Sequence, residues 1–213
     1  MAFSDLFSRR RKDEPDHDTG AAKAPVHSTK VLAKFIASLN GRTSPVLLDL
    51  GSVHGANVTF FGERLGCKII VEDLSKDIDR AVKDKTITEL PAHFKKRFAQ
   101  EDGSVDGVLC WDIFDFLEPA AARALAHQVV RVLRPGGAVM GFFCTKGVER
   151  ASFTKFEIIE ETSSLRHRHH AGTGGAKFVL QNRDIIKMFE GLAVAESFLL
   201  KSNTREMLLR RRA

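Results

Sequence analysis

The sequence predicts an α/β domain: a doubly wound, mostly parallel sheet with helices on both faces and an antiparallel hairpin at its C-terminal end. Three observations carry this. From residue 28 to residue 144, short apolar runs alternate with helical patterns. The runs are nearly continuous, as a strand covered on both faces requires. After Cys144 the rhythm changes, and the last 20 residues read as two strands around Ser202-Asn203-Thr204.

The elements follow in order. Residues 1–25 carry Arg9-Arg10-Arg11-Lys12 and then a run of acids, and read as a flexible charged leader. Residues 28–39 read as a helix, with Ser28 as cap and Val31, Leu32, Phe35, Ile36 and Leu39 on one face. Residues 46–50 are the first strand. It breaks at Gly51 and Gly55 into a helix over 56–65, which Gly66 ends. Residues 67–71 are a strand closing on Glu72-Asp73-Leu74-Ser75, and 77–85 a helix. Residues 87–90 read as a short strand or loop, and 94–98 as a weak strand. Residues 105–111 are a strand. Pro119 opens a helix that runs to 133, Pro135-Gly136-Gly137 follows, and 138–144 is a buried strand. Beyond it come an exposed strand over 153–161, an Arg/His cluster at 166–170 and a Gly-rich turn. A helix over 182–189 and hairpin strands over 193–200 and 205–211 complete the chain. Residues 26–213 are expected to form one domain, with 146–180 as an insertion or acceptor-side segment.

The 213 residues suffice for a full core, and 43% hydrophobic with 28% charged residues is a globular composition. No apolar run approaches the length that spans a bilayer, and the first residues do not read as a secretory signal. Cys67, Cys110 and Cys144 are far apart and read as buried thiols of a reducing, cytoplasmic compartment. The net charge of +6 is concentrated late: residues 161–213 carry ten Lys and Arg against five Asp and Glu. That excess fits either an anionic partner or a solubilising surface. The cluster Arg166-His167-Arg168-His169-His170 lacks partner ligands at a defined spacing, and its arginines repel cations, so no metal is predicted.

A buried strand running into a glycine bend and a helix start is a ligand cradle, because the backbone can approach and the helix offers free N–H groups. Val46-Leu47-Leu48-Asp49-Leu50-Gly51-Ser52-Val53-His54-Gly55 has this form. It is followed by Ile69-Ile70-Val71-Glu72-Asp73-Leu74-Ser75, by Asp102-Gly103-Ser104-Val105-Asp106-Gly107-Val108, and by Arg131-Val132-Leu133-Arg134-Pro135-Gly136-Gly137. These four stretches, in this order, resemble the motifs of the class I (Rossmann-like) S-adenosylmethionine (SAM)-dependent methyltransferases. The resemblance covers about residues 28–145 well and the rest loosely. It implies a seven-stranded, mostly parallel sheet, SAM as cofactor, and methyl transfer to an acceptor that no motif identifies, expected to be a small molecule.

The residues it implies at the cofactor are Asp49, Gly51, Ser52, His54, Gly55, Asp73, Leu74, Trp111 and Asp112. Asp73 would accept the ribose hydroxyls, with Glu72 as the alternative, and Asp49 would face the cationic end. A dinucleotide would need a second glycine where the chain has Val53. The adenine-reading acid of many members has no clean counterpart, Gln100 and Glu101 being the nearest substitutes. Asp112 is the candidate for orienting the acceptor or acting as a base, though positioning alone can suffice. The alternative function is a methyltransferase-like binding or scaffold protein with a weakened cofactor site. Nucleic acid is disfavoured: there is no N-P-P-[YFW] tetrapeptide, no aromatic-basic stripe and no tyrosine.

Overall fold

The structure, a computed structural model, describes residues 24–52, 54–160, 164–169 and 175–213. The leader up to residue 23, Val53, His170 and the Gly-rich turn at 171–174 lie outside the described residues. The strands are β1 (Val26–Ser28), β2 (Val46–Asp49), β3 (Lys68–Val71), β4 (Val105–Trp111), β5 (Leu133–Cys144), β6 (Val148–Ala151), β7 (Thr154–Glu160), β8 (Ser164–His169), β9 (Gly175–Lys177), β10 (Leu192–Leu199) and β11 (Thr204–Arg211). The helices are α1 (Leu32–Leu39), α2 (Gly55–Thr59), α3 (Leu74–Lys83), α4 (Leu90–Arg97), α5 (Pro119–Val132) and α6 (Asn182–Met188). A π-helical turn, Phe60–Arg64, extends α2.

The main sheet has the order β10-β11-β5-β4-β2-β3. The four strands β5, β4, β2 and β3 run parallel, and β11 and β10 add antiparallel. Alternation along each strand assigns the two faces. Leu47, Leu109, Met140 and Leu208 pack with α1, Phe60 and Phe61. Leu48, Val108, Val139 and Leu209 pack with α3, α4, α5 and α6. The sheet is thus six-stranded and mixed, where seven mostly parallel strands were expected. The difference lies at residues 94–98, a weak strand in the sequence and part of α4 in the structure. Pro91 opens that helix, and Leu90 and Phe94, four residues apart, bury one face of it. Residues 87–89 are likewise a 3₁₀ turn rather than a strand.

Three smaller corrections have local causes. Ser28 does not cap α1: it pairs in β1, and Thr29 Oγ1 accepts from the Leu32 N–H at 3.4 Å. α3 starts at Leu74, three residues before the expected helix, directly at the acidic strand end. Asn182 lies within α6, whose cap position is Gln181.

The described residues of 146–180 include β6 to β9, which form two small sheets: β8-β7, with β1 from residues 26–28 added at its edge, and β6-β9. Asn57 fastens the first above α2: its side-chain amide donates to the Phe156 carbonyl at 2.7 Å and accepts from the Ile158 N–H at 2.9 Å. Asp106 ties the opposite end of the main sheet, accepting from Arg42 at 2.8 Å and from the Val46 N–H at 2.7 Å. No helix among the described residues is long and apolar enough to cross a membrane.

Packing makes one glycine of the fourth-strand motif irreplaceable. A Cβ on Gly107 would lie 2.9 Å from both Phe35 Cζ and Leu39 Cδ2. Gly107→Ala is therefore expected to cost about 1–3 kcal/mol by overpacking α1 against β4. A denaturant midpoint equal to that of the parent would contradict this.

Candidate functional site

Parallel strands deliver their C-terminal ends to one rim, and the motif residues collect there. Asp49 at the end of β2 pairs in register with Val71 of β3 and Leu109 of β4. Gly51 and Asp73 accordingly lie two residues beyond paired positions, on the same edge. The Glu72 N–H donates to the Asp49 carbonyl and the Leu74 N–H to the Leu50 carbonyl, so the two strand ends stay joined past the sheet. The hydroxyls of Ser52 and Ser75 meet at 2.9 Å, and Ser75 donates to Asp73 at 2.5 Å. The glycine bend and the acid are thus joined by a short bridge of hydroxyls.

The two acids at the end of β3 have different duties. Glu72 is buried, receives the Arg97 guanidinium and is hydrogen-bonded by the Gln100 amide. It is an interior ion pair. Asp73 takes a left-handed backbone (φ +39°), which aims its side chain away from the strand. Its partner besides Ser75 is Lys76, 3.0 Å away and 69% exposed. A solvent-side pair of this kind contributes little and yields to a better ligand. Leu74, by contrast, is fully buried under the start of α3.

Asp49 is almost completely buried, and one of its oxygens accepts two neutral donors, the Gly51 N–H at 3.0 Å and the Trp111 indole N–H at 2.7 Å. Burial pushes its carboxyl up to about 7, the two hydrogen bonds counteract that, and the negative Asp73 adds to it. Trp111 also has a left-handed backbone, φ +47°. Its indole covers Gly51 so closely that a Cβ there would clash with Cδ1. Left-handed backbone at two non-glycine residues on one rim is strain of the sort that persists at functional sites. Gly55, in contrast, faces open space, with nothing within 4 Å of a built Cβ.

Trp111 stacks on Phe156, ring centroids 5.0 Å apart and planes within 6°. Phe156 in turn lines a cavity of about 570 Å³, open mouth included, between the ends of β4 and β5 and the β1-β8-β7 sheet. At its floor the Lys177 ammonium sits 3.0 Å from Asp112 and 3.4 Å from Asp115. Burial disfavours that ammonium, but the two carboxylates outweigh burial and raise its pKa. Asp115 is pushed up to about 7 by burial, with Lys177 pulling it down and Asp112 pushing it up. Its other oxygen accepts from the Cys144 N–H at 2.8 Å.

His54 is half-buried; among the described residues its Nδ1 has no hydrogen-bond partner, and its Nε2 lies 3.8 Å from Glu157. Burial holds the imidazole below its ordinary pKa, with the nearby Glu157 opposing. Arg166 and Arg168 alternate toward Glu157, at 3.0 and 3.1 Å. His167 between them turns inward against Phe156. Residues 166–168 therefore lie on a strand with two faces, one ionic and one lining the cavity.

Sequence reasoning placed Asp49, Gly51, Ser52, Asp73, Trp111 and Asp112 along this rim. It gave no site role to Asn57, Asp115, Phe156 or Lys177, and read His167 only within a basic run forming either a loop over the acceptor pocket or a solvated loop, where the structure has a strand. One signal was available for Lys177: it stands in a glycine-rich stretch next to no other charge. Its two acids are more than 60 residues away in sequence.

A six-stranded α/β sheet that brings a glycine bend and an acid to adjacent strand ends holds both where open α/β sheets bind their ligands. Residues 47–137 match the family model described as a methyltransferase domain. That match is consistent with the class I SAM-dependent methyltransferase family. Among solved structures it is similar to 1,6-didemethyltoxoflavin-N1-methyltransferase of Burkholderia thailandensis, with 17% identity over 86% of this chain and 77% of that one, TM-score 0.52. It is also similar to a SAM-dependent methyltransferase of Mesorhizobium loti, with 13% identity over 85% and 97%, TM-score 0.53. Identities this low establish a shared fold. No functionally curated protein matches the chain in sequence.

The residues present suit SAM at both ends. Asp73 with the Ser52–Ser75 hydroxyls offers acceptors for a ribose. Asp49, buried among neutral donors, is a carboxylate short of a positive charge, which a ligand with a sulfonium and an ammonium supplies.

Proposed function

We propose that this protein transfers the methyl group of SAM to a small molecule bound in the cavity beside Trp111. The observation that carries the reading is the common rim: the glycine bend of β2 and the Asp73 carboxylate stand together, joined by the Ser52 and Ser75 hydroxyls, with the Trp111 indole resting on Gly51. Asp73, with Leu74 beneath it, holds the ribose. The backbone at Gly51, Ser52, His54 and Gly55 follows the amino-acid half. Asp49 balances its positive charge. Trp111 and Asp112 stand between cofactor and acceptor.

When bound, SAM supplies an electrophilic methyl group. What this chain does is position and desolvate. The aromatic wall of Trp111, Phe142 and Phe156 keeps water from the acceptor. Asp112, fixed by Lys177, orients it. Holding two reactants in line supplies most of what such a displacement needs. The basic excess of the C-terminal quarter does not carry over to this cavity, so the acceptor's charge has to be read from the cavity itself.

Isothermal titration with SAM and S-adenosylhomocysteine tests the reading. Asp73→Asn is expected to weaken both by at least about tenfold, the worth of hydrogen bonds to a charged acceptor, with the fold intact. Well-folded protein that binds neither ligand would transfer the case to the scaffold alternative. In that event the indole resting on Gly51 is a permanent closure.

A further inference from the structure

We propose that the cavity under the β1-β8-β7 sheet is an amine site: it takes an acceptor with a basic nitrogen on a flat apolar body, the nitrogen held by Asp112 and Asp115. This rests on the methyl-transfer reading and specifies its substrate class. The space itself points to a ligand. Among the described residues it is a half-enclosed cavity, and its wall residue Phe156 stacks on Trp111, whose indole lies against the glycine bend.

Its walls decide the chemistry. On one side Phe142, Phe156 and Leu165 present apolar surface. Phe142 and Phe156 pack on each other, ring centroids 5.1 Å apart and tilted by 39°, and together form an aromatic wall on which a flat body can rest. On the other side the lining carries three carboxyl groups, Asp112, Asp115 and Glu206, against the ammonium of Lys177. His167 adds no charge near neutrality, since burial, His27 and Lys177 hold it down at about 4. Glu206 is committed to the start of α1, accepting from the Lys30 N–H at 2.8 Å, and burial raises its carboxyl. Lys177 offsets part of the remaining charge on Asp112 and Asp115.

An anionic acceptor entering this space would meet further negative charge in a poorly solvated site. A neutral one would gain only the apolar contacts. A protonated amine gains charge-assisted hydrogen bonds and relieves the carboxyl pair. To become nucleophilic its nitrogen must lose a proton, and Asp115, pushed up to about 7, is a base of suitable strength to receive it. The nitrogen keeps its lone pair, and the proton passes from Asp115 to solvent.

The test uses the full wild-type chain without cofactor, titrated with three probes of one shape: 2-phenylethylamine, 2-phenylethanol and phenylacetate. The amine is expected to bind at least about tenfold more tightly than the alcohol, and phenylacetate most weakly. Its binding should shift the amide resonances of Thr154, Leu165 and Thr204, which line the cavity. Asp112→Asn and Asp115→Asn should each remove most of the preference. Equal binding of the three probes, a preference for phenylacetate, or no amine binding at about 10 mM overturns the proposal. So do resonance shifts confined to residues elsewhere, or a preference that survives both substitutions. Titration of the same sample with S-adenosylhomocysteine reports the cofactor site separately.

Discussion

Asp49→Asn is expected to make the protein more stable above pH 7 by about 2–4 kcal/mol, while weakening its hold on SAM. The sign follows from burial. The folded carboxyl lies at about 7, well above its value in an unfolded chain. Between roughly pH 4 and pH 7 the folded state therefore holds a proton that the unfolded state has released. Its stabilising effect is complete below about pH 4 and is lost as pH rises through 7. Asparagine keeps the side-chain oxygen that accepts from the Gly51 N–H and the Trp111 indole, and it never ionises. Urea unfolding should show the variant gaining on the parent from pH 5 to pH 8, with the two converging near pH 4. Cofactor binding should move the other way. In the parent, SAM affinity rises with pH through 7 as Asp49 ionises, and in the variant that rise is absent. A variant destabilised equally at all pH values would mean that the carboxylate serves only the fold.

Lys177→Met is expected to cost about 3–5 kcal/mol at pH 8, because it strands two buried carboxylates side by side. Asp112 and Asp115 are among the least exposed acids of the chain. Without the ammonium the Asp115 carboxyl rises further, and protonating it becomes the cheapest relief. The loss should therefore shrink by half or more at pH 5, where the pair shares a proton. Lys177→Arg, which keeps the charge, should recover most of the stability. A pH-independent loss would trace the effect instead to the lysine stem and its contact with the Phe116 ring, 4.9 Å from the ammonium.

Much of the first half of the chain was legible because its information is local. The strands at β2, β4 and β5 announce themselves as apolar runs, and Pro119 with the later glycines brackets α5. Residues 94–98 are too short a window for a period to show: Phe94 and Phe98, with Lys95, Lys96 and Arg97 between them, stand at a helical rather than an alternating spacing. Packing of Leu90 and Phe94 on the core decided the matter. The site divides in the same way. Asp49, Gly51 and Asp73 were found because each sits at a fixed step from its own strand.

What the sequence by itself determined, then, is the rim proposed for the cofactor, since a strand, a bend and a helix start are written in consecutive residues. The tertiary structure alone decided the cavity proposed for the acceptor. Lys177 reaches Asp112 and Asp115 across more than 60 residues, and Phe156 reaches Trp111 across 45. It also decided that Trp111 lies on Gly51 and donates to Asp49. Those contacts follow from the strand order β5-β4-β2-β3 and from the small sheet folded over α2. Long-range packing of this kind leaves no period or spacing in the chain from which it could be read.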